Sequence, residues 1–109
     1  MIHQTEAEFQ HAVCELATML GWRWVHFRAV KDHRNRWMTP FHGCAGFTDL
    51  VLVHPDRGLL FVELKANEGR LTEDQKCWGR DLEAVGAEYH VWRPDDMNKI
   101  RRRLQESAK

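Results

Sequence analysis

Apolar positions along the chain change period several times, and each change marks an element. Across residues 5–20, Phe9, Val13, Leu16, Ala17 and Leu20 recur at the spacing that gathers side chains on one face of a helix. Thr5 is suited to cap its start, with Glu8 three residues on as reciprocal partner, and Gly21 to end it. Over residues 22–30 the pattern turns aromatic and β-branched, through Trp22, Trp24, Val25, Phe27 and Val30, which predicts a strand. Residues 31–46 carry no period and include Pro40, Gly43 and Gly46, so they read as a long loop. A loop of that length inside a compact domain usually serves function. The run Leu50, Val51, Leu52, Val53 belongs to a second strand over residues 47–54, and Pro55, Asp56, Arg57 and Gly58 make a turn. Residues 59–66 form a third strand, antiparallel to the second. Thr72 caps a helix running to about Val85, ended by Gly86, and residues 87–92 give a fourth strand. Pro94, Asp95 and Asp96 then open a last helix over residues 96–106. The order αβββαβα predicts an α/β fold with a mixed central sheet flanked by helices.

Composition sets the scale of this pattern. At 109 residues and 12.9 kDa, with 43% hydrophobic positions, the chain is expected to be a single domain spanning residues 1–109. No apolar run approaches the length of about 20 residues that spans a bilayer, and Glu6, Glu8 and Glu15 interrupt any secretory signal. The three Cys lack a C-x-x-C pair and the His lack a zinc spacing, so neither a disulfide framework nor a zinc site is expected. A reducing setting fits, with Cys14 and Cys77 as small buried hydrophobes. Formal charge is zero, from 16 basic against 16 acidic residues, which argues against a uniformly basic coat. The charge is nevertheless segregated: residues 22–47 carry +4 and residues 99–109 another +4, offset by acidic segments elsewhere.

Part of that acidic share sits where charge is costly. Asp49 precedes the apolar run, and Glu63 lies inside the strand Leu60, Phe61, Val62, Glu63, Leu64, with Lys65 on the same face two residues on. A buried charge must be paired or bind metal, and close carboxylates need a cation to ionise together. Hard divalent ions such as Mg²⁺ or Mn²⁺ suit oxygen donors of this kind. At 100° per residue Glu6 lies near the apolar face of the first helix and looks inward, whereas Glu8 points away as the capping residue. Gln75, opening the second long helix, can aim an amide at the same place. The bland alternative makes Asp49 a strand-entry residue, and Glu63 with Lys65 a surface pair on an exposed edge. Trp22, Trp78, Leu82 and Trp92 read as core, and Asp95 as a helix-terminus residue.

The stretches Glu6-x-x-Phe9-Gln10, Gly46-Phe47-Thr48-Asp49-Leu50-Val51, Glu63-Leu64-Lys65, Leu71-Thr72-Glu73-Asp74-Gln75 and Val91-Trp92-Arg93-Pro94 span most of the chain. Together they resemble the VRR-NUC branch of the PD-(D/E)XK nuclease superfamily, in its small stand-alone phage and bacterial form. Thr48 departs from the pattern, standing where the superfamily name has Pro. The resemblance implies a restriction-endonuclease-like αβββαβ core and hydrolysis of DNA phosphodiesters with Mg²⁺ or Mn²⁺. It implies Asp49, Glu63 and the Leu64 carbonyl as metal ligands, and Glu6 completing the metal environment directly or through water. Lys65 would orient or activate the attacking water, and Gln75 would position its neighbours. It further implies a homodimer acting on branched DNA such as four-way junctions, in the cytoplasm, with no membrane or nucleotide cofactor.

DNA would be held through phosphates by Arg28, Lys31, Arg34, Arg36 and Arg70, with polar contacts from His26, His33 and His42. Trp37 or Phe41 could wedge or stack. Lys99, Arg101, Arg102 and Arg103 could equally grip a backbone or form a solvated face. A flap-, duplex-nicking or restriction-like nuclease would share every catalytic residue. A non-catalytic DNA-binding module and a small-molecule phosphodiesterase are the readings of other classes.

Overall fold

A computed structural model describes residues 5–27, 30–38 and 41–107. Helix α1, Glu6–Met19, begins with the expected capping box: the Glu8 amide donates to Thr5 Oγ1 at 3.0 Å, and the Thr5 amide to Glu8 Oε1 at 2.9 Å. Strand β1 covers Arg23–His26 only. The segment that reads as a structureless loop contains a small hairpin, β2 (Val30–Lys31) and β3 (Trp37–Met38). Strands β4 (Leu50–His54) and β5 (Gly58–Leu64) follow, then α2 (Glu73–Ala84) and β6 (Glu88–Trp92). A single 3-10 turn, Pro94–Asp96, leads into α3, Met97–Gln105.

The main sheet has the order β1-β4-β5-β6. β1–β4 and β4–β5 are antiparallel, and β5–β6 is parallel, joined by the α2 crossover. The mixed α/β architecture is thus the one expected, a four-stranded mixed sheet with three helices. Among the described residues no helix is long and apolar enough to cross a membrane.

Alternation along β4 and β5 divides the sheet into two faces. Leu50, Leu52, Leu60, Val62 and Leu64 point to one side and are fully buried against Phe9, Val13 and Ala17 of α1 and Ile100 and Leu104 of α3. Full burial of each large side chain contributes about 1.5–3 kcal/mol, so this face is the stabilising core. Trp22 and Trp92 join it, as their apolar context implies, and Trp22 Nε1 donates to the Leu104 carbonyl at 2.9 Å. The opposite face carries Val51, Val53, Leu59, Phe61 and Glu63. α2 packs there against β6: a Cβ on Gly79 would lie 2.6 Å from the Tyr89 ring, so only glycine permits this approach.

Three expectations about side chains fail. Trp78 and Leu82, read as core, are only half-buried and lie outside the core cluster, on the α2 side of the sheet. Cys14 is buried but Cys77 is exposed, because α2 turns Gln75, Trp78, Gly79 and Leu82 toward the sheet and leaves position 77 outside. Arg103 is neither solvated nor free for DNA: its guanidinium donates to Glu88 Oε2 at 2.6 Å and Oε1 at 2.9 Å, and to the Arg57 carbonyl at 2.8 Å. It ties α3 to the sheet.

Candidate active site

The β4–β5 register pairs Leu50 with Val62. Continuing it by one residue sets Asp49 opposite Glu63, on the face away from the core. Asp49 is held at both ends. Its carbonyl accepts from the Phe27 amide at 2.7 Å, and its Oδ2 accepts from the Leu64 amide at 3.0 Å. The Lys65 amide donates to the Trp92 carbonyl at 3.0 Å, which extends the β5–β6 ladder and keeps Lys65 on the Glu63 side. Glu6, Asp49, Glu63, Leu64, Lys65 and Gln75 all line one cleft of about 490 Å³. Every residue singled out for the chemistry is therefore brought together, including Glu6, which reaches the cleft although it is exposed.

Gln75 does two jobs through the two ends of its amide. Oε1 accepts from the Thr72 amide at 2.9 Å and closes the α2 capping box, while Nε2 donates to Glu63 Oε2 at 3.1 Å. The cap fixes the amide orientation, and the amide fixes one oxygen of Glu63. The other, Oε1, is buried with no hydrogen-bond partner among the described residues. Glu63 itself is 1% exposed. Burial above all, and then the Asp49 carboxylate beside it, push its carboxyl up to about 9, against a smaller opposing pull from Lys65.

This donor set fits a hard divalent ion: one carboxyl oxygen without a partner, a second carboxylate alongside, and a pair that resists ionising together unless a cation is present. Among the described residues, no three His, Cys, Asp or Glu side chains converge to hold an ion alone. Asp49 and Glu63 could hold one only with further oxygens.

The basic set is placed unevenly. Asp32 Oδ1 accepts from the Arg34 and Arg36 amides at 2.8 and 2.9 Å and its Oδ2 from Arg36 Nε at 3.1 Å, which folds the β2–β3 turn. Arg36 thus spends part of its charge locally. Lys31 Nζ sits 5.2 Å from the Trp37 ring centroid, and Trp37 reaches the cleft wall. Arg70 is exposed beyond Lys65, and Arg28 lies outside the described residues.

Two supports were not evident from patterning. The Arg93 guanidinium Nη1 donates to the carbonyls of Ala66 at 2.7 Å, Gly69 at 2.6 Å and Asn67 at 3.3 Å, pinning the turn that follows Lys65. Gly46 has φ +96°, and a Cβ there would lie 2.5 Å from the Asp74 backbone carbon. Their signals, a lone Arg before Pro94 and a glycine three residues before Asp49, name no partner. Asp95 exchanges hydrogen bonds with Asn67 at 3.0 and 3.2 Å, in keeping with a helix-terminus role.

No curated protein and no solved structure matches the chain. A family model described as the VRR-NUC domain matches residues 26–95, which hold Asp49, Glu63, Lys65 and Gln75 and leave Glu6 outside. With that match over more than half its length, the chain belongs to the VRR-NUC family of nuclease-type, DNA-processing domains.

Proposed function

We propose that the chain is a metal-dependent, structure-specific DNA endonuclease of the cytoplasm, acting on branched DNA such as four-way junctions as a homodimer. The observation that carries the reading is Glu63: a buried carboxylate with one oxygen fixed by Gln75, the other orphaned beside Asp49, and Lys65 in the same cleft. A structural role alone does not account for so costly a group. The basic hairpin and the carboxylate cleft together favour a phosphodiester in a nucleic acid over a small-molecule ester.

Mg²⁺ or Mn²⁺ held by Asp49, Glu63 and the Leu64 carbonyl would supply polarisation of the phosphoryl oxygen and a lowered pKa for water. Lys65 provides a cationic donor for the water or for the charge that develops on phosphate. Gln75 keeps Glu63 in one rotamer, so the donor oxygens need no reorganisation. Glu6 orients water at the cleft's edge. Lys31, Arg34, Arg36, Arg70 and Arg28 would contact phosphates on either side.

Support for a dimer comes from the sheet. α2 covers the β6 side of the outer face, leaving Val25, Val53 and Leu59 between 43% and 48% exposed on the β1–β4–β5 side. Clustered exposed apolar side chains mark contact surfaces, and simultaneous incisions at symmetric positions of a junction suit two active sites related by a two-fold axis.

The test is cleavage of labelled four-way junction, flap, single-stranded and linear duplex DNA, with and without Mg²⁺ or Mn²⁺. Paired symmetric junction cuts that need the metal are expected. Cutting of flap or duplex alone replaces the substrate assignment, and binding without any cutting replaces the enzyme by a binding module.

A further inference from the structure

Beside the carboxylate cleft lies a second cavity of about 600 Å³. Its walls are largely aromatic, from Phe27, Phe41, Phe47 and Trp78. The inner rings are locked edge-to-face: Phe47 meets Trp78 at 4.9 Å and 73°, and Phe27 at 5.7 Å and 69°. Trp78 Nε1 donates to the Cys44 and Ala45 carbonyls at 3.3 and 3.0 Å, so the 41–47 segment is fastened over α2. Phe41 stands at the rim, 55% exposed. Thr48 lies in the wall, 1% exposed, and its Oγ1 has no hydrogen-bond partner among the described residues.

The geometry points to this cavity as a binding site for one unstacked nucleobase of the DNA strand, next to the phosphodiester held at Asp49 and Glu63. This rests on the nuclease reading and adds what the site recognises. The two cavities share Phe27, Asp49 and Gln75. A strand whose phosphate lies at the carboxylates therefore brings a neighbouring base to the aromatic mouth. A concave apolar pocket with a few polar groups is the form that small planar ligands take to, and aromatic faces stack bases without regard to sequence. Extruding a base costs least where it is unpaired or at a distorted step. Such a pocket thus favours branch points over continuous duplex.

The test places 2-aminopurine at successive positions around the cut site of a junction and follows its fluorescence on binding to the cleavage-silent Lys65→Ala protein, while wild type is assayed for cutting in parallel. One position is expected to change signal, and adding Phe41→Ala is expected to abolish the change. Phe41→Ala should weaken binding about tenfold, in the range for losing one stacked base, for DNA carrying that base and not for DNA abasic there. Phe41→Trp should restore both.

Cutting by wild type with no position-specific signal overturns the pocket and leaves the nuclease reading intact. Equal weakening on intact and abasic DNA overturns it too, since it would make Phe41 merely structural. Loss of dimer mass in Phe41→Ala assigns the pocket to a protein contact and overturns it. A signal without cutting upholds the pocket and removes the nuclease, and absence of any DNA binding removes both.

Discussion

Glu63 concentrates the conflict between stability and function in one side chain. Its carboxyl is held near 9 because burial and Asp49 both oppose ionisation, and its Oε1 has no hydrogen-bond partner among the described residues. A buried, poorly compensated polar group costs on the order of 1–3 kcal/mol. Glu63→Gln keeps the shape and takes up no proton on folding, whereas wild-type Glu63 must gain one to be buried at neutral pH, so the metal-free variant should melt at a higher temperature than wild type near neutral pH. The same variant should lose cleavage and the rise in melting temperature that Mg²⁺ or Mn²⁺ is expected to give wild type. A thermal melt with and without metal reads both outcomes, and an unchanged metal response would remove Glu63 from the ligand set. Lys65 separates the chemistry from the ion. Lys65→Ala should abolish cutting while leaving that metal-induced rise in place, since the residue contributes no donor oxygen. Asp49→Ala should remove both, and full activity in that variant would end the assignment.

At the scale of elements, the site depends on close approaches between segments far apart in sequence. Gly46 lets the strand leading to Asp49 pass over the start of α2, with its φ of +96° and no room for a Cβ against the Asp74 backbone. Gly46→Ala should cost about 3 kcal/mol or more, since strain and overpacking add; a denaturant midpoint close to wild type would show that the loop can retreat. The Thr5–Glu8 capping box, the Thr72 cap, the strand alternation and the shared face of Glu63 and Lys65 were legible from neighbours in sequence, because each is set by spacing along one element. The β2–β3 hairpin was not, because its strands are two residues long and its turn is folded by the Asp32 carboxylate rather than by alternation. Arg93 was not either, since its three carbonyl acceptors lie 24 to 27 residues away. Gln75 was legible as a group aimed at the site, but not its double use, capping with one atom and gripping Glu63 with the other, because that depends on how closely α2 sits against β5. The Glu88–Arg103 bridge between β6 and α3 carries a pH consequence. The Arg103 hydrogen bonds, foremost, hold the Glu88 carboxyl below its usual range. The folded value is thus lower than the unfolded one, so the contribution is present above the unfolded value of about 4.3 and is lost as pH falls through the folded one. With Glu88 a third exposed, that contribution is about 1 kcal/mol at most. Glu88→Gln should therefore show a flatter loss of melting temperature below pH 4.5 than wild type.

For the molecule as a whole, zero net charge comes from basic and acidic segments that alternate along the chain, and the two faces of the sheet are covered unequally. The core face of the sheet is covered by α1 and α3, whereas α2 shields only part of the other face. The remainder offers Val25, Val53 and Leu59, with Val53 and Leu59 directly paired across β4 and β5. If two copies meet there, the contact brings two carboxylate clefts into one particle, which simultaneous cutting of two strands needs. Leu59→Lys tests this without disturbing the core, since a substitution at an exposed strand position typically changes stability by about 0.5 kcal/mol or less. Two ammonium groups brought near the two-fold axis would repel in a surface stripped of water. The variant should sediment as a monomer at concentrations where wild type is a dimer, and should convert paired junction cuts into single nicks with each active site still competent. A Leu59→Lys protein that remains dimeric would move the interface elsewhere, and a monomeric wild type that still makes paired cuts would show that one cleft serves both strands in turn.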